Sequence, residues 1–467
     1  MLMKKLNELI NCEYNLDIFG ITDDSRKVKN GYLFVATNGY NVDHYDYIND
    51  AIDNGAVAII SNKNISCNIP LIIVSDINNL YYELCERYYD IDLSDFNFIG
   101  ITGTDGKTTT STIVKRLLNN IKKTCYIGTN GAEIGNDYYH ISNTTPCIEE
   151  LYYILSLCKE NGCKDIVMEV SSEALLHDRV KHFLYKVVGF TNITEDHLNV
   201  HKTLKSYIEC KKKLINYLDD NGICIVNGDD NNCKSIVSNN TVTFGFNLSN
   251  DCIIKLVEKN NSNTIFEINY LDNCYKIISP FVGNYNIYNV TMAFLICLHY
   301  GLSPEYLVDS ISKLKSISGR REQLDFGQDF EIILDYAHTF NGIKEVMESV
   351  DKSKKLIVVT GCAGGREKEK RHIIGEYILN NCDISIFTMD DPRYEDVNDI
   401  IDDMVGDSIV KYYRIVDRKK AIFTAFELAD SNTTILILGK GRDNYMAIED
   451  RKDYYSDYDS IKEYFNK

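Results

Sequence analysis

FNFIGITGTDGKTTT (residues 96–110) is the strongest indication of fold in this 467-residue chain. Its first half is a run of apolar residues typical of a strand buried on both faces, and its second half is a loop of small polar residues. The segment TTSTIVKRLLNNIKK (109–123) then has the spacing of a helix. The stretch therefore predicts a strand, a glycine-rich loop and the N-terminus of a helix, in that order.

The loop has the chemistry of a phosphate-binding site. Glycines let backbone N–H groups approach phosphate oxygens, and the helix N-terminus adds positive partial charge. Lys107 would reach the β- and γ-phosphates of a nucleotide, and the Thr108 hydroxyl would bind Mg²⁺. The spacing departs from G-x-x-x-x-G-K-[ST], which needs glycine where Ile101 stands. A turn that binds no nucleotide is the alternative, and the strand, the GKT sequence and the helix together disfavour it.

Strands alternate with helical segments on both sides of this loop. The predicted strands after it are DIVMEVS (165–171), KVVGFTNI (186–193) and GICIVNGD (222–229). Each ends in small or acidic polar residues, and ligands of open parallel sheets bind at the carboxyl ends of the strands. We therefore expect a parallel sheet covered on both faces, with its chemistry along one edge.

The flanking segments predict two further α/β domains. The N-terminal strands are YLFVAT (32–37), AVAIIS (56–61) and PLIIVS (70–75), and residues 78–91 have helical spacing. The C-terminal strands are FEIILDYAH (330–338), KKLIVVTGC (354–362), ISIFTMDD (384–391) and TTILILGKG (433–441). We predict domains at residues 1–93, 94–317 and 318–467, which agrees with about 150 residues per domain.

Composition excludes several classes of protein. The net charge of −18 disfavours a nucleic-acid partner, because phosphate-backbone binding needs an excess of Lys and Arg. The 15 cysteines include no C-x-x-C pair, which indicates reduced thiols in the cytosol. We find neither a signal peptide nor an apolar run near the ~20 residues that a membrane span needs, so we expect a cytoplasmic protein.

Three further residues are candidates for a metal site, although each has a plainer interpretation. Glu169 ends the strand in MEVSS, and His197 follows another strand in TNITEDHLNVH. A carboxylate at a strand end is often only solvated, and a single histidine is more often a structural hydrogen-bonding group. Lys211 begins a run of three lysines, which by itself indicates a solvated helix face.

Together, the motifs resemble those of the Mur ligases, and within that family the UDP-N-acetylmuramoyl-tripeptide synthetases. The resemblance covers nearly the whole chain, and its motifs occur in the family's order: TGTDGKTTT (102–110), NTTP (143–146), MEVSSEAL (168–175), FTNITEDHLNVHKTLKSYIECKKKL (190–214), GNYNIYN (283–289), SGRREQ (318–323), DYAHT (335–339), GCAGGREKEKR (361–371), DDPRYED (390–396) and GKGRD (439–443). In the first domain, DDSRKVKNGYLFVA (23–36) and VDH (42–44) resemble the uridine-binding segments.

The resemblance implies roles for named residues. For catalysis it implies Lys107, Glu169, His197 and Lys211, and for two Mg²⁺ ions it implies Thr108, Glu169, His197 and Lys211, the last as a CO₂-derived carbamate. For ATP it implies Gly103, Thr104, Asp105, Gly106, Lys107, Thr108, Thr109, Asn286 with Asn289 in support, Arg320 and Asp335. For the UDP-muramoyl dipeptide it implies Ser25, His44, Thr144, Thr145, Ser171 and Arg179; for Ser25 a plain turn or cap residue is the alternative. For the incoming amino acid it implies Arg366, Asp390, Asp391, Arg393, Gly439 and Asp443.

The implied reaction is ATP-dependent ligation of a diamino acid to the D-Glu side-chain carboxylate of UDP-MurNAc-L-Ala-D-Glu, through an acyl phosphate, in peptidoglycan synthesis. The resemblance also implies a monomer. The alternatives are a non-catalytic UDP-muramoyl-peptide-binding paralogue and another Mur-like or folylpolyglutamate-type ligase. A P-loop motor or nucleic-acid ATPase is disfavoured by the acidic charge.

Several residues depart from the family pattern. Asp105 replaces Asn in the phosphate loop, and Glu173 replaces His after the SS pair. Asp391 replaces the Asn of DNPR, while Arg442 and Asp443 replace the His and Glu of GKGHE. Asp391 could accept a lysine ammonium, whereas Arg393 favours the distal carboxylate of meso-diaminopimelate. The sequence leaves meso-diaminopimelate, L-lysine and ornithine open.

Overall fold

The computed structural model describes residues 2–37, 44–260 and 262–466. The chain divides into two units of contacting residues. Unit 1 consists of Met1–Gly100, Leu118–Lys186 and Asn216–Asp220, and unit 2 consists of Ile101–Leu117, Val187–Ile215 and Asn221–Lys467. The three predicted domain boundaries stay a prediction.

The N-terminal part of unit 1 contains a small parallel sheet, a separate antiparallel pair of strands, and helices. Its strands are β1 (Lys4–Lys5), β2 (Asp17–Ile18), β3 (Gly20–Thr22), β4 (Tyr32–Val35), β5 (Ala56–Ser61) and β6 (Leu71–Ile73), and its helices are α1 (Leu6–Leu9), α2 (Ile48–Asp53) and α3 (Ile77–Tyr89). The order β3-β4-β5-β6 is parallel throughout, and β1 and β2 form the antiparallel pair. The three strands and the helix predicted here are therefore confirmed.

The middle of the chain contributes to both units. Its strands are β7 (Asn97–Thr102), β8 (Thr124–Gly128), β9 (Gly131–Ile134), β10 (Asp137–Tyr139), β11 (Asp165–Glu169), β12 (Tyr185–Phe190), β13 (Leu218–Asn227), β14 (Thr241–Gly245), β15 (Cys252–Lys259), β16 (Thr264–Tyr270) and β17 (Asn273–Ser279). Its helices are α4 (Lys107–Asn119), α5 (Ile148–Glu160), α6 (Ser172–Leu176), α7 (Leu198–His201), α8 (Leu204–Lys212), α9 (Asn284–His299) and α10 (Pro304–Ser312).

The strands of this region are parallel next to the predicted loops and antiparallel farther along the sheet. In unit 1, β8 is parallel to β11, and the order β8-β9-β10 is antiparallel. In unit 2, β13, β14 and β15 are parallel, whereas β15, β16 and β17 form an antiparallel meander. The sequence did not predict this meander, because its strands alternate buried and exposed residues and lack the long apolar runs of the others.

The C-terminal part of unit 2 is a six-stranded sheet. Its strands are β18 (Glu322–Leu324), β19 (Glu331–Asp335), β20 (Lys355–Thr360), β21 (Ile384–Phe387), β22 (Tyr413–Arg414) and β23 (Thr433–Leu438), followed by the hairpin β24 (Tyr445–Ile448) and β25 (Arg451–Tyr454). Its helices are α11 (Phe340–Glu348), α12 (Glu369–Asn381), α13 (Val397–Val405), α14 (Arg418–Glu427) and α15 (Asp457–Phe465). The order is β18-β19-β23-β20-β21-β22, and all neighbours except β18 and β19 are parallel.

Two apolar clusters cover the two faces of this sheet. Val358 and Leu436 belong to one cluster, and Ile357 and Ile435 belong to the other. Every residue of β23 is buried. This explains why the four C-terminal strands could be recognised from their continuous apolar runs. Among the described residues, no helix combines the length and apolar character that crossing a membrane requires.

The central position of β23 predicts a large stability cost for its truncation. Ile435 is 0% exposed and packs between α14 and the sheet, so Ile435→Ala should lower the free energy of unfolding by about 2–5 kcal/mol. Urea titration followed by circular dichroism measures this change. Ile409→Ala is the matched control, because Ile409 is 99% exposed and should change stability by less than about 0.5 kcal/mol. Equal effects of the two substitutions would contradict the packing described for β23.

Candidate active site

The predicted phosphate loop lies between β7 and α4, and two glycines give it its shape. Gly103 has φ +150° and Gly106 has φ +85°. A Cβ atom at Gly103 would lie 1.8 Å from the Thr191 hydroxyl, and one at Gly106 would lie 2.4 Å from Asn289 Oδ1. Neither position therefore accepts a side chain without displacing its neighbours.

Neighbouring loops hold the phosphate loop through hydrogen bonds within unit 2. The Thr104 and Asp105 amides donate to Asn192, at 2.8 Å to its backbone oxygen and 3.0 Å to its side chain. The Thr191 hydroxyl donates to the Asp105 carbonyl at 2.6 Å. The backbone of the loop is thus ordered by the segment that follows β12.

Two lysine side chains converge on one backbone oxygen of this loop. Lys107 Nζ lies 2.9 Å from the Gly103 carbonyl oxygen and 2.8 Å from the Thr104 oxygen. Lys211 Nζ, at the end of α8, lies 2.8 Å from the same Gly103 oxygen. The structure therefore places Lys211 at the phosphate loop, and not on a solvated helix face as its lysine run alone would indicate.

The surroundings of Lys211 favour its uncharged amine. Lys211 is 1% exposed, and its Nζ lies 4.6 Å from the centre of the Tyr207 ring. Burial lowers the pKa of Lys211 well below its ordinary value, and the positive charge of Lys107 lowers it further. An uncharged amine is nucleophilic, so Lys211 is chemically able to react with an electrophile.

Arg320 and Asp335 come from the C-terminal part of unit 2 to the same loop. Arg320 Nη2 donates to the Thr108 hydroxyl at 2.9 Å, and its guanidinium lies 4.5 Å from the centre of the Tyr336 ring. Asp335 accepts the backbone amide of Arg321 at 2.5 Å, and burial raises the pKa of its carboxyl group. Arg320 therefore contacts the start of α4 directly, and Asp335 is held at the residue that follows Arg320.

Asp105 makes a contact that its family counterpart does not predict. Its carboxylate accepts the Thr339 hydroxyl at 3.0 and 3.2 Å, and Thr339 is the N-cap of α11. Burial raises the pKa of Asp105, while the positive charges of His338 and Lys107 oppose the rise. Asp105 thus joins the phosphate loop to the DYAHT segment at the end of β19.

Asn286 and Asn289 lie on the first turns of α9. Asn286 Nδ2 donates to the Val282 carbonyl at 2.8 Å, and Asn289 Nδ2 donates to Asn286 Oδ1 at 3.2 Å. The Thr110 hydroxyl donates to Asn289 Oδ1 at 3.3 Å. Asn289 therefore connects α4, the helix that follows the phosphate loop, to Asn286, a predicted ATP contact.

His197 is held by residues from the C-terminal part of unit 2. Arg366 Nη1 lies 3.1 Å from His197 Nδ1, and Lys370 Nζ lies 3.2 Å from Asp196 Oδ1. Glu367 accepts the backbone amides of Leu198 and Asn199 at the start of α7. Burial would raise the pKa of Asp196, but His197, His338 and Lys370 hold it below its usual value.

In unit 1, a buried carboxylate lies beside the predicted muramoyl-peptide loop. Glu169 is 0% exposed and accepts the Tyr126 hydroxyl at 2.5 Å and the Thr129 amide and hydroxyl, each at 3.1 Å. The Thr129 hydroxyl lies 3.1 Å from that of Thr144. The prediction that Glu169, in unit 1, shares a metal ion with His197 and Lys211, in unit 2, stays a prediction.

Thr145 links three of the residues predicted to hold the muramoyl dipeptide. Its hydroxyl donates to the Glu169 carbonyl at 2.7 Å and accepts the Ser171 amide at 2.9 Å. Arg179 Nη1 donates to the Thr145 carbonyl at 3.1 Å. The structure therefore brings Thr144, Thr145, Ser171 and Arg179 together within unit 1.

The predicted uridine-binding segment meets α5 through a cluster of charged residues that the sequence did not single out. Glu149 accepts hydrogen bonds from Thr22 at 3.4 Å, Lys27 at 3.2 Å and Tyr81 at 3.0 Å. Burial raises the pKa of Asp23 to about 7, and the negative charge of Glu149 adds to this rise. This cluster connects the segment around Ser25 to the helix that follows the NTTP loop.

Ser25 and His44 occupy neighbouring parts of the same region. Ser25 is 7% exposed, and its carbonyl accepts the Asn54 side chain at 3.0 Å. His44 Nδ1 lies 2.8 Å from the Thr37 hydroxyl, which donates to Asp23 at 3.3 Å. Val42 and Asp43, the other residues of the VDH motif, lie outside the described residues.

Three predicted amino-acid-binding residues, Asp390, Asp391 and Asp443, meet at the ends of β21 and β23, whereas Arg366 contacts His197. Lys440 Nζ lies 2.8 Å from Asp391 Oδ1, 3.8 Å from Asp443 and 3.9 Å from Asp390. The Ala447 amide also donates to Asp391 Oδ1, at 2.9 Å. The charge of Asp391 is therefore compensated by a lysine of the same chain.

Arg393 and Arg442 behave differently in this region. Arg393 has φ +51°, and its Nη1 donates to the Gly364 carbonyl at 2.7 Å. Arg442 forms two hydrogen bonds to Glu322, at 2.8 and 2.5 Å, and its guanidinium lies 3.5 Å from the centre of the Tyr458 ring. Arg442 is thus engaged by β18, the strand that follows Arg320.

Sequence reasoning missed several residues that the structure brings to the site. They are Lys440, Thr339, Tyr207, Asp196, Glu367 and Lys370. All of them lie inside or next to motifs already quoted, so their position was a usable signal. Their partners lie up to 234 residues away in the sequence, as for Thr339 and Asp105, and this pairing could not be inferred from spacing.

The raised pKa of Asp105 predicts a pH-dependent effect of Asp105→Asn. A carboxyl group whose pKa is higher in the folded state costs stability as pH rises from the unfolded-state pKa, near 4, through the folded-state value. Asn accepts the same Thr339 hydrogen bond without ionising. The variant should therefore melt at a higher temperature than the unmodified protein at neutral pH, with the difference shrinking toward about pH 4.

Differential scanning calorimetry across this pH range measures the effect. Asp407→Asn removes an exposed carboxylate and is the matched control. A difference between Asp105→Asn and the unmodified protein that stays constant with pH would contradict the assigned cost of the buried charge.

Comparisons with known proteins agree with the fold and with the order of the motifs. Three family models match in sequence: "Mur ligase family, catalytic domain" over residues 17–92, "Mur ligase middle domain" over 101–297 and "Mur ligase, glutamate ligase domain" over 319–441. A solved UDP-N-acetylmuramoyl-L-alanyl-D-glutamate–2,6-diaminopimelate ligase has a TM-score of 0.65 at 24% identity, covering 100% of this chain and 99% of that one. MurF ligase from Thermotoga maritima in complex with ADP has a TM-score of 0.65 at 20% identity, covering 95% and 96%. The predicted three-domain α/β fold is confirmed.

Curated relatives extend over almost the whole chain. The UDP-N-acetylmuramoyl-L-alanyl-D-glutamate–2,6-diaminopimelate ligase of Bacillus cereus is 34% identical over an alignment of 480 positions, which covers 98% of this chain and 98% of that protein. The ligase of the same name from Fusobacterium nucleatum is 33% identical over 449 residues, covering 94% and 92%. This chain therefore belongs to the Mur ligase family, as its motifs predicted.

Proposed function

We propose that this protein is an ATP-dependent ligase that joins an amine of 2,6-diaminopimelate to the D-Glu side-chain carboxylate of UDP-MurNAc-L-Ala-D-Glu in peptidoglycan synthesis. The observation that carries the proposal is the convergence of Lys107, Lys211 and Arg320 on one glycine-rich loop. That loop belongs to a chain related over 98% of its length to a ligase named for this reaction.

The reaction requires activation, because a carboxylate does not react with an amine at ordinary temperature. The D-Glu carboxylate attacks the γ-phosphorus of ATP, ADP leaves, and an acyl phosphate forms. The amine then attacks the acyl carbon, and inorganic phosphate leaves with one former carboxylate oxygen and with the proton that the amine loses. The carboxylate and the nucleotide phosphates repel each other, so positive groups at the phosphate loop lower the barrier.

Residues of unit 2 supply these positive groups. With nucleotide bound, Lys107 would exchange its contacts with the Gly103 and Thr104 oxygens for phosphate oxygens. The remaining loop residues, Asp105, Gly106, Thr108 and Thr109, would bring the backbone amides of the α4 N-terminus to the phosphates. Arg320 already contacts Thr108 and would stabilise the transferred phosphoryl group. Asn286 is assigned to adenine and Asp335 to ribose.

Magnesium fits the donor atoms of this chain. Thr108 offers a hydroxyl, Glu169 a buried carboxylate and His197 an imidazole, and Mg²⁺ prefers oxygen ligands. When bound, Mg²⁺ neutralises phosphate charge. Mg²⁺ also takes water and substrate phosphate oxygens as ligands, and one further protein oxygen beside these donors would strengthen the site.

Lys211 can become that ligand by carbamylation. The amine attacks the carbon of CO₂ and releases one proton, which converts a nitrogen donor into a carbamate with two oxygens. Its burial and the low pKa of its ammonium support this role, because only the uncharged amine reacts. Carbamylated Lys211, Thr108, Glu169 and His197 are therefore assigned to two Mg²⁺ ions.

Unit 1 is assigned to the UDP-muramoyl dipeptide. Ser25 and His44 would contact the uridine end, and Thr144, Thr145, Ser171 and Arg179 would contact the muramoyl peptide. Ser171 and Arg179 are hydrogen-bonded directly to Thr145, and Thr144 is linked to it through Thr129 and Glu169. We place the enzyme in the cytoplasm as a monomer, with no nucleic-acid partner.

The charges at the ends of β21 and β23 favour diaminopimelate over L-lysine or ornithine. Asp391, the residue that by sequence could select a lysine ammonium, is paired with Lys440 at 2.8 Å, so the preference rests on Arg393. Burial raises the pKa of the Asp443 carboxyl group to about 6, and the positive charge of Lys440 opposes this rise. Arg393 uses one of its five guanidinium donors for Gly364 and is suited to a distal carboxylate. Arg366, Asp390 and Gly439 complete the assigned site.

An amino-acid panel tests the proposal. Phosphate release with ATP, Mg²⁺ and UDP-MurNAc-L-Ala-D-Glu should occur with meso-diaminopimelate, and kcat/KM for L-lysine and ornithine should be lower by about 100-fold or more, because Arg393 then lacks its carboxylate partner. Lys107→Ala should abolish turnover with every amino acid. Phosphate release with none of them would support a non-catalytic paralogue, and preference for L-lysine would overturn the specificity.

The lysine run provides a second test, with a matched pair of substitutions. Lys211→Ala should reduce kcat by at least about 1,000-fold, since it removes a group proposed to bind metal beside the transferred phosphate. Lys212→Ala removes the neighbouring lysine, which pairs with Glu209 at 3.0 Å and should leave kcat nearly unchanged. Intact-protein mass spectrometry under CO₂ should detect about 44 Da added to the unmodified protein but not to Lys211→Ala. Equal loss of activity in both variants would contradict the assignment of Lys211.

A further inference from the structure

A fully buried arginine holds the starts of two loops that are assigned above to the amino acid. Arg418 is the first residue of α14, and both its side chain and that of Asp457 are 0% exposed. Arg418 Nη2 donates to the Leu438 carbonyl at 2.8 Å, and Nη1 donates to the Met389 carbonyl at 3.3 Å. Leu438 precedes Gly439, and Met389 precedes Asp390.

Asp457 fixes the orientation of this arginine. Its two carboxylate oxygens accept Arg418 Nε and Nη2, each at 2.8 Å, and the Tyr455 hydroxyl donates to Asp457 Oδ1 at 2.9 Å. The planar guanidinium therefore presents one edge to a carboxylate and its remaining donors to the carbonyls of two different strand ends. A lysine has one charged nitrogen and cannot satisfy these directions at once.

Stability alone does not explain this arrangement. A buried ion pair loses the hydration of both charges, and well-packed apolar side chains of similar volume are often as stabilising. What the ion pair adds is direction, because its hydrogen bonds specify where the Leu438 and Met389 carbonyls lie. The charges are also close enough to influence Asp390, whose pKa burial raises while Lys440 and Arg418 lower it.

The loops that begin at these carbonyls have little space for displacement. A Cβ atom at Gly439 would lie 2.1 Å from Asp390 Oδ2, and one at Gly361 would lie 2.2 Å from the Thr388 carbonyl. Asp391 has φ +44°, a strained conformation for a non-glycine residue. The loops therefore keep their shape only while both strand ends stay in place.

We propose that Arg418, held by Asp457, is a positioning residue for the incoming amino acid. It does not touch the substrate; it fixes the Met389–Arg393 and Leu438–Asp443 loops against each other, so that Asp390, Arg393 and Asp443 face one ligand. The inference rests on the proposed function, in which these loops bind the diamino acid.

Steady-state kinetics of Arg418→Lys and Asp457→Asn test the role. The KM for diaminopimelate should rise about tenfold or more, because a displacement of about 1 Å in a binding group weakens a reaction by up to about 100-fold. The KM values for ATP and UDP-MurNAc-L-Ala-D-Glu should change by less than about twofold, since Arg418 does not contact the phosphate loop. Amide hydrogen exchange should increase in residues 389–393 and 438–443.

Glu463→Gln is the matched control for these variants. Glu463 pairs with Lys419 at 2.6 Å and links the same two helices, α14 and α15, but on their exposed side. The Glu463→Gln variant should have the same KM for diaminopimelate as the unmodified enzyme. If the buried variants do not fold, Tyr455→Phe decides the question, since losing one hydrogen bond to Asp457 should raise the same KM about threefold.

The outcomes separate this inference from the proposed function. Absence of ligation by the unmodified protein with every amino acid would overturn the proposed function. Normal ligation by the unmodified protein, with an unchanged diaminopimelate KM in folded variants, would overturn only the role of Arg418. A parallel rise of all three KM values would show a general structural effect and would also overturn it.

Discussion

One backbone oxygen, the Gly103 carbonyl, receives the side chains of both Lys107 and Lys211. Two ammonium groups so close together repel each other, and in a buried site that repulsion is weakly screened. The chain resolves the conflict by burying Lys211, so that its uncharged amine is favoured, while Lys107 keeps its position at the N-terminus of α4. The phosphate loop, α8 and the proposed carbamate all depend on this arrangement.

The C-terminal part of unit 2 meets the same loop through short polar contacts. Arg320 reaches Thr108, and Thr339 reaches Asp105. These contacts come from segments that start or end β18 and β19, so the C-terminal sheet determines where they lie. The replacement of Asn by Asp105 is accommodated because a hydroxyl donor faces it, although the buried charge remains unfavourable.

In the proposed amino-acid site, too, the edge of the C-terminal sheet fixes the positions of the binding residues. Asp391, which by sequence could select a lysine ammonium, is paired with Lys440, and the strand ends that carry both residues are held by the buried Arg418–Asp457 pair. The effect of a single substitution in a motif on substrate selectivity therefore depends on the residues that contact it. Asp391 changes the local hydrogen bonding more than it changes the net charge available to a substrate.

The strand–loop–helix around Lys107, the buried strands of the C-terminal sheet and the order of the motifs could be predicted from the sequence, because apolar runs and glycine positions are local signals. Only the folded structure shows that Lys211 donates to the Gly103 carbonyl, that Asp105 faces Thr339 and that Lys440 pairs with Asp391. The antiparallel meander β15–β17 was also not predicted from the sequence, because its half-exposed strands lack continuous apolar runs. The physical reason is the same throughout. Burial and charge pairing join residues that are far apart in the chain, and the local sequence does not indicate which distant residues will be in contact.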